Sequence, residues 1–126
     1  MDKNFEFRKE MQYRTKQFAL RIVRLFQALP ATDEARIIGK QLLRSATSVG
    51  ANYRAACRAR SSKEFYSKLS IVIEEADESM FWLEILGESG IIKSTLLQDI
   101  IHETEEIIKI LVAARKTINQ NSTKLN

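Results

Sequence analysis

Apolar residues recur alternately three and four positions apart along most of this chain, and few residues interrupt the pattern. The 126 residues include one proline and four glycines, and these lie mostly where the spacing stops and restarts. Such a period places apolar side chains along one side of an α-helix and does not fit a strand, whose period is two. The sequence therefore predicts an all-α protein.

The breaks in the pattern predict four helices. Pro30 ends the first helix, and Thr32 is a suitable N-cap for the second. The S-x-x-E sequence that starts at Ser61 is a capping box that opens the third, and Gly87 and Gly90 close it. The expected boundaries are about 11–29, 33–60, 62–86 and 95–118.

Long helices with short connections favour an up-down-up-down antiparallel four-helix bundle. A chain of 126 residues with 44% hydrophobic content can bury such a core without disulfides. We therefore expect one domain that spans residues 1–126.

Several features indicate a cytoplasmic protein. The single cysteine, Cys57, cannot form an internal disulfide, and the charged N-terminus lacks the apolar run of a signal peptide. No segment approaches the roughly 20 uninterrupted apolar residues of a membrane span. We expect no association with a membrane.

The sequence has no pattern typical of catalysis. Di-iron sites in bundles need carboxylates from four helices and two Glu-x-x-His pairs, whereas this chain has one histidine, in Asp99-x-x-His102, expected on the surface. Cys57 is expected to be a small buried apolar residue, and there is no Gly-rich phosphate loop. We predict no enzyme activity, no cofactor and no bound metal, and no small-molecule substrate is evident.

Charge divides the chain into two halves. Residues 1–60 contain 13 Lys/Arg and 5 Asp/Glu, a net charge of +8, whereas residues 61–126 contain 7 and 11, a net charge of −4. The basic half includes five cations whose spacing brings them to one side of the second helix. We call these the basic stripe: Arg36, Lys40, Arg44, Arg54 and Arg58.

Small residues lie between the charges of the basic stripe. Thr47 and Ala51 are expected to leave the helix backbone approachable by a partner, and the bulky Tyr53 is expected to point away from the stripe. No aromatic residue alternates with the cations, as a platform for stacking bases would require. Any contact with nucleic acid is therefore expected at its backbone.

Three polar residues, Ser45, Asn52 and Ser79, occupy inward positions at which apolar side chains would pack better. Their polar atoms need partners inside the bundle or at an interface, and Glu78 is the candidate partner of Asn52. We favour a role of this buried polar group in fixing helix register over a ligand site.

The third helix carries more apolar surface than one bundle can cover. Ile71, Trp82 and Ile85 project away from its inner face. These residues predict an interface with another subunit.

Residues 41–86 read QLLRSATSVGANYRAACRARSSKEFYSKLSIVIEEADESMFWLEIL. The small-residue run that ends in Asn52, the basic turn 58–62, Glu64-Phe65 and the acidic residues 74–78 resemble the bacterial four-helix bundle family of proteins encoded in intervening sequences of 23S ribosomal RNA genes. The resemblance extends more weakly over the whole chain. Where the family commonly has N-I-A-E-G, this chain has N-Y-R-A-A from Asn52, and Arg54 makes the segment more basic.

This resemblance implies a homopentameric ring. It also implies kinship with the accessory protein of diversity-generating retroelements, which works with a reverse transcriptase and binds nucleic acid. The general function of the family is unsettled.

Two specific hypotheses stand beside the simple interpretation that the basic stripe is a solvated surface. In the first, a non-catalytic oligomer binds the RNA or DNA backbone through the stripe together with Arg60. In the second, the protein is a structural ring in which the stripe pairs with acidic residues of a neighbouring subunit. The candidate acidic residues are Glu74, Glu75, Glu78 and Glu84.

Overall fold

The computed structural model describes the backbone of residues 3–125 and the side chains of residues 4–118. It contains four helices and, over that range, no strand. Each helix packs against the next one, and α4 also contacts α1. The predicted all-α four-helix bundle is confirmed. The helices are α1 (Lys3–Gln27), α2 (Asp33–Cys57), α3 (Ser62–Glu88) and α4 (Ser94–Leu125).

The helix caps follow the sequence signals. The Thr32 side chain accepts a hydrogen bond from the Ala35 amide at 3.3 Å, and the Ser61 side chain accepts one from the Glu64 amide at 3.1 Å. Gly90, at a φ of 79°, adopts the left-handed conformation that follows α3. These residues fix where α2 and α3 begin and where α3 turns toward α4.

Three helix ends differ from the expected ones by three residues or more. Helix α1 starts at Lys3 rather than near residue 11, because Phe7 continues the four-residue spacing to Met11 and packs against the core. Helix α2 ends at Cys57 rather than residue 60, because the amide of its C-cap, Arg58, turns to the carbonyls of Ala55 and Ala56. Helix α4 continues to Leu125, beyond the expected residue 118.

Tyr53 lies in the core, fully buried, and does not project from the surface of α2. It follows Val49 by four residues and continues the buried face that includes Leu42 and Ala46. Asn52, which the spacing placed inward, lies beside this face and is half-buried. The inward side of α2 is thus rotated slightly from the predicted one, because Ala46 is small enough to lie between helices.

A pair of serines joins α2 to α3 inside the core. The Oγ atoms of Ser45 and Ser79 are 2.9 Å apart, and both residues are fully buried. Ser79 Oγ also donates to the Glu75 carbonyl at 2.9 Å, and Ser45 Oγ lies 3.2 Å from the Leu42 carbonyl. All of these polar atoms have partners, as buried groups require, and the short hydroxyl contact brings the two helices close together.

A bidentate ion pair joins helices α1 and α4. Arg14 Nε and Nη2 donate to the two carboxylate oxygens of Glu103, each at 2.8 Å. This bond raises the pKa of the Arg14 guanidinium. The ion pair therefore fixes the position of α1 along α4, the contact that closes the bundle. No helix in the described part of the chain is long and apolar enough to cross a membrane.

Replacing Ser79 by valine should lower the free energy of unfolding by about 1–3 kcal/mol, because its methyl groups would crowd the contact with Ser45. Urea unfolding followed by circular dichroism measures this change. Ser67→Val, at an exposed position on the same helix, is the matched control and should change stability by about 0.5 kcal/mol or less. Equal losses in the two variants would show that helix propensity, and not crowding, is responsible.

Candidate nucleic-acid interface

The basic stripe lies on the outer side of α2. The helix runs without a break from Asp33 to Cys57 and carries four of the five cations, while Arg58 is the C-cap immediately after it. All five residues are exposed, and they lie on the side opposite to Leu42, Val49 and Tyr53. The structure thus brings these cations to one face.

Arg44 differs from the rest of the basic stripe, because it pairs with carboxylates of α3 in the same chain. Its Nη1 lies 3.2 Å from Glu75 Oε2, and its Nη2 donates to Glu78 Oε2. The hydrogen bond with Glu78 raises the pKa of the Arg44 guanidinium. Trp82 Nε1 donates to the same Glu78 oxygen at 3.3 Å. Arg44 therefore belongs to a network that ties α2 to α3.

The remaining cations are more available to a partner. Arg36 pairs with Asp33 at 3.2 Å, and Arg60, which is also exposed, lies 3.8 Å from Glu64. Both pairs join residues three or four positions apart and include an exposed arginine, and such pairs contribute little. Among the described residues, the side chains of Lys40, Arg54 and Arg58 have no ion pair or hydrogen bond.

The gap in the middle of the stripe is open. Thr47 and Ala51 are exposed, and the Thr47 hydroxyl is turned to its own helix, donating to the Leu43 carbonyl at 2.7 Å. Neither side chain extends far from the backbone. An extended partner can therefore approach α2 closely between Lys40 and Arg54.

The four polar residues singled out from the sequence separate into two groups. Ser45 and Ser79 are buried and bonded to each other. Asn52 and Glu78 are half-buried and do not form the expected pair. Asn52 Nδ2 donates to the Ser48 carbonyl one turn earlier at 2.9 Å, whereas Glu78 is engaged by Arg44 and Trp82.

The outer face of α3 is partly apolar. Ile71 is 45% exposed, whereas Trp82 and Ile85 are half-buried, and Trp82 packs against the core. The sequence interpretation missed Phe81, which is 50% exposed and meets the Trp82 ring edge to face at 4.9 Å between centroids. The sequence does contain a sign of this exposure. Phe81 lies four residues after Asp77 and three residues before Glu84, so it shares the outer side of α3 with these two exposed acids.

The remaining candidate residues do not form a chemical site. Cys57 is half-buried, and burial raises the pKa of its thiol, which disfavours the reactive thiolate. His102 is exposed and lies 3.9 Å from Glu106. Within the described side chains, no three His, Cys, Asp or Glu residues are grouped so that they could hold a metal ion.

Comparison with protein families gives a match to the 23S rRNA-intervening sequence protein family over residues 9–113. The chain belongs to this family. The family resemblance inferred from residues 41–86 is thereby confirmed. The link to diversity-generating retroelements stays a prediction.

A solved structure of a family member supports the same fold. It is a protein with unknown function from the S23 ribosomal protein family of Bacteroides thetaiotaomicron, 37% identical in sequence. The alignment covers 83% of this chain and 97% of that one, with a TM-score of 0.78. A search of curated proteins gives no match.

Measurements of protein stability can test the difference between the paired Arg44 and an unpaired cation of the stripe. Arg44→Gln should lower the free energy of unfolding by about 1 kcal/mol, because it leaves the enclosed Glu75 Oε2 atom without its cation. Lys40→Gln, one turn away and unpaired, is the matched control and should change stability by about 0.5 kcal/mol or less. Urea unfolding at low salt measures both variants. Identical values would contradict a stabilising role for the Arg44 network.

Proposed function

We propose that this protein is a non-catalytic oligomer that binds the phosphate backbone of nucleic acid through the outer face of α2. The observation that carries the proposal is the set of exposed cations on one face that lack a carboxylate from another helix. They are Arg36, Lys40, Arg54 and Arg58. Arg44 contributes less than the sequence suggested, because Glu75 and Glu78 already neutralise it.

The size of this face suits a nucleic-acid backbone. Lys40 and Arg54 are separated by about 21 Å along the helix axis, a length over which a duplex presents about a dozen phosphates. Unpaired cations along this length would displace the counterions of several phosphates, which makes binding dependent on salt. The absence of aromatic side chains among the stripe residues favours contacts with the backbone over stacking with bases.

RNA is the natural first probe. The family is named for intervening sequences of 23S rRNA. The resemblance also implies a homopentamer, and repetition of the basic stripe around a ring would multiply weak contacts into useful affinity. A reverse transcriptase partner, also implied by the resemblance, is a further prediction of that kinship.

Binding of a mixed-sequence RNA duplex should weaken steeply with added salt. The double variant Lys40→Glu, Arg54→Glu should lose at least about tenfold in affinity at low salt, and its salt slope should fall by about two, because two phosphate contacts are removed. Fluorescence anisotropy measures both quantities, and circular dichroism checks the fold.

The matched control is Arg21→Glu with Lys109→Glu, which changes the net charge equally at exposed positions on α1 and α4. It should retain most of the affinity. An equal loss in this control would mean that only net charge matters, and a wild-type protein that binds no RNA or DNA at low salt would overturn the proposal.

A structural ring is the second candidate function. It is favoured by the exposed apolar residues Ile71 and Phe81, which lie on the same helix as the exposed acids Glu74 and Glu84. A neighbouring subunit could place its basic stripe against these acids, forming a head-to-tail contact that closes into a ring. Glu75 and Glu78 are less available for this contact, because Arg44 of the same chain holds them.

Light scattering separates the two functions. If the stripe binds nucleic acid, Lys40→Glu with Arg54→Glu should leave the mass of the oligomer unchanged; if the stripe closes the ring, the mass should fall. In both cases Ile71→Ser with Phe81→Ser should reduce the mass, because exposed apolar residues on α3 form the interface.

The control for that variant is Leu96→Ser with Val112→Ser, which removes exposed apolar side chains from α4. It should keep the oligomer intact. A monomeric wild-type protein would contradict the oligomer in either form.

A further inference from the structure

A cavity of about 520 Å³ lies at one end of the bundle. The start of α1, the end of α2, the start of α3 and the last described side chains of α4 surround it. Much of its wall is apolar and is formed by Phe7, Phe65, Ala114 and Ile118. The volume is in the range of ordinary small-molecule sites.

The described charged residues that line this cavity are all cations. They are Arg8 and Arg60, and among residues 4–118 no carboxylate lines it. Arg8 is half-buried and, among the described residues, has no ion pair or hydrogen bond. Arg60 has only its distant contact with Glu64. A partly desolvated guanidinium without a carboxylate partner can form a strong charge-assisted pair with an anionic group of a ligand.

A second cavity of about 470 Å³ continues from the first one between α1 and α2. The two share Arg8 and Cys57, and the second adds Lys9 and has no carboxylate among its described lining residues. Behind this lining, the fully buried Tyr53 places its hydroxyl beside the Cys57 thiol. The described wall of this cleft therefore adds a second cation, Lys9, that has no carboxylate beside it.

We propose that the end cavity binds a small amphiphilic anion, in which an apolar chain or ring carries one carboxylate or phosphate group. The apolar part would lie against Phe7 and Phe65, and the anionic group would pair with Arg8, with Arg60 at the cavity wall. This site goes beyond the proposed nucleic-acid function, because it lies at the bundle end and does not use the outer face of α2.

The first measurement uses the full chain with 8-anilinonaphthalene-1-sulfonate, a fluorescent aromatic anion. We expect saturable binding of one molecule per chain, displaced by decanoate but not by uncharged decanol. Vesicles of phosphatidylglycerol form a separate arm. Displacement by free decanoate indicates an anion bound from solution, whereas displacement by vesicles alone indicates one held in a bilayer, and both support the site.

Two variants locate the binding. Arg8→Gln should weaken binding of the dye and of decanoate at least about tenfold, whereas Arg21→Gln, an exposed arginine on the same helix, should leave both unchanged. Ala59→Trp adds bulk to the wall in the connection between α2 and α3 and should block binding without removing a charge.

Alkylation of Cys57 is an independent readout. Because the chain has a single cysteine, iodoacetamide reports on this wall alone, and decanoate should slow the reaction several-fold. The proposal is overturned if no saturable binding occurs, if Arg8→Gln and Arg21→Gln behave alike, or if neither decanoate nor the vesicles slow the alkylation. Unfolding temperatures of the variants show that the fold is retained.

Discussion

The close contact between α2 and α3 at Ser45 and Ser79 sets the geometry of the rest of the bundle. Two hydroxyls 2.9 Å apart inside the core allow no larger side chain and only one rotation of each helix. That rotation directs Tyr53 inward and the basic stripe outward. It also brings Arg44 within reach of the α3 carboxylates. A hydrogen bond between two small residues thus decides which charges the surface presents.

The fold was predictable from the sequence because its signals are local. Pro30, Thr32 and the Ser61 capping box mark helix ends through backbone chemistry that needs no tertiary contact. The inward positions of α1 and α3 also follow from regular spacing. The α2 face was less predictable, since Ala46 and Tyr53 are buried by the shape of the neighbouring helices and not by a strict repeat.

The candidate site was predictable in position but not in its pairing. Spacing alone brings the five cations to one side, and α2 is unbroken through four of them, with Arg58 as its C-cap. The sequence could not reveal that Arg44 is neutralised, because Glu75 and Glu78 lie more than thirty positions away and reach it only after α2 and α3 pack. Nor could it reveal that Glu78, the expected partner of Asn52, is held by Arg44 and Trp82, so that Asn52 bonds to the Ser48 carbonyl instead.

The position of the single tryptophan gives the molecule a built-in spectroscopic reporter. The Trp82 indole meets the exposed ring of Phe81 on one side, and its nitrogen is bonded to Glu78, the carboxylate held by Arg44. Indole emission responds to the polarity and charge around the ring. A change at the outer face of α2 or of α3 therefore alters the fluorescence emission of Trp82. This emission can be measured without attaching a label to the protein.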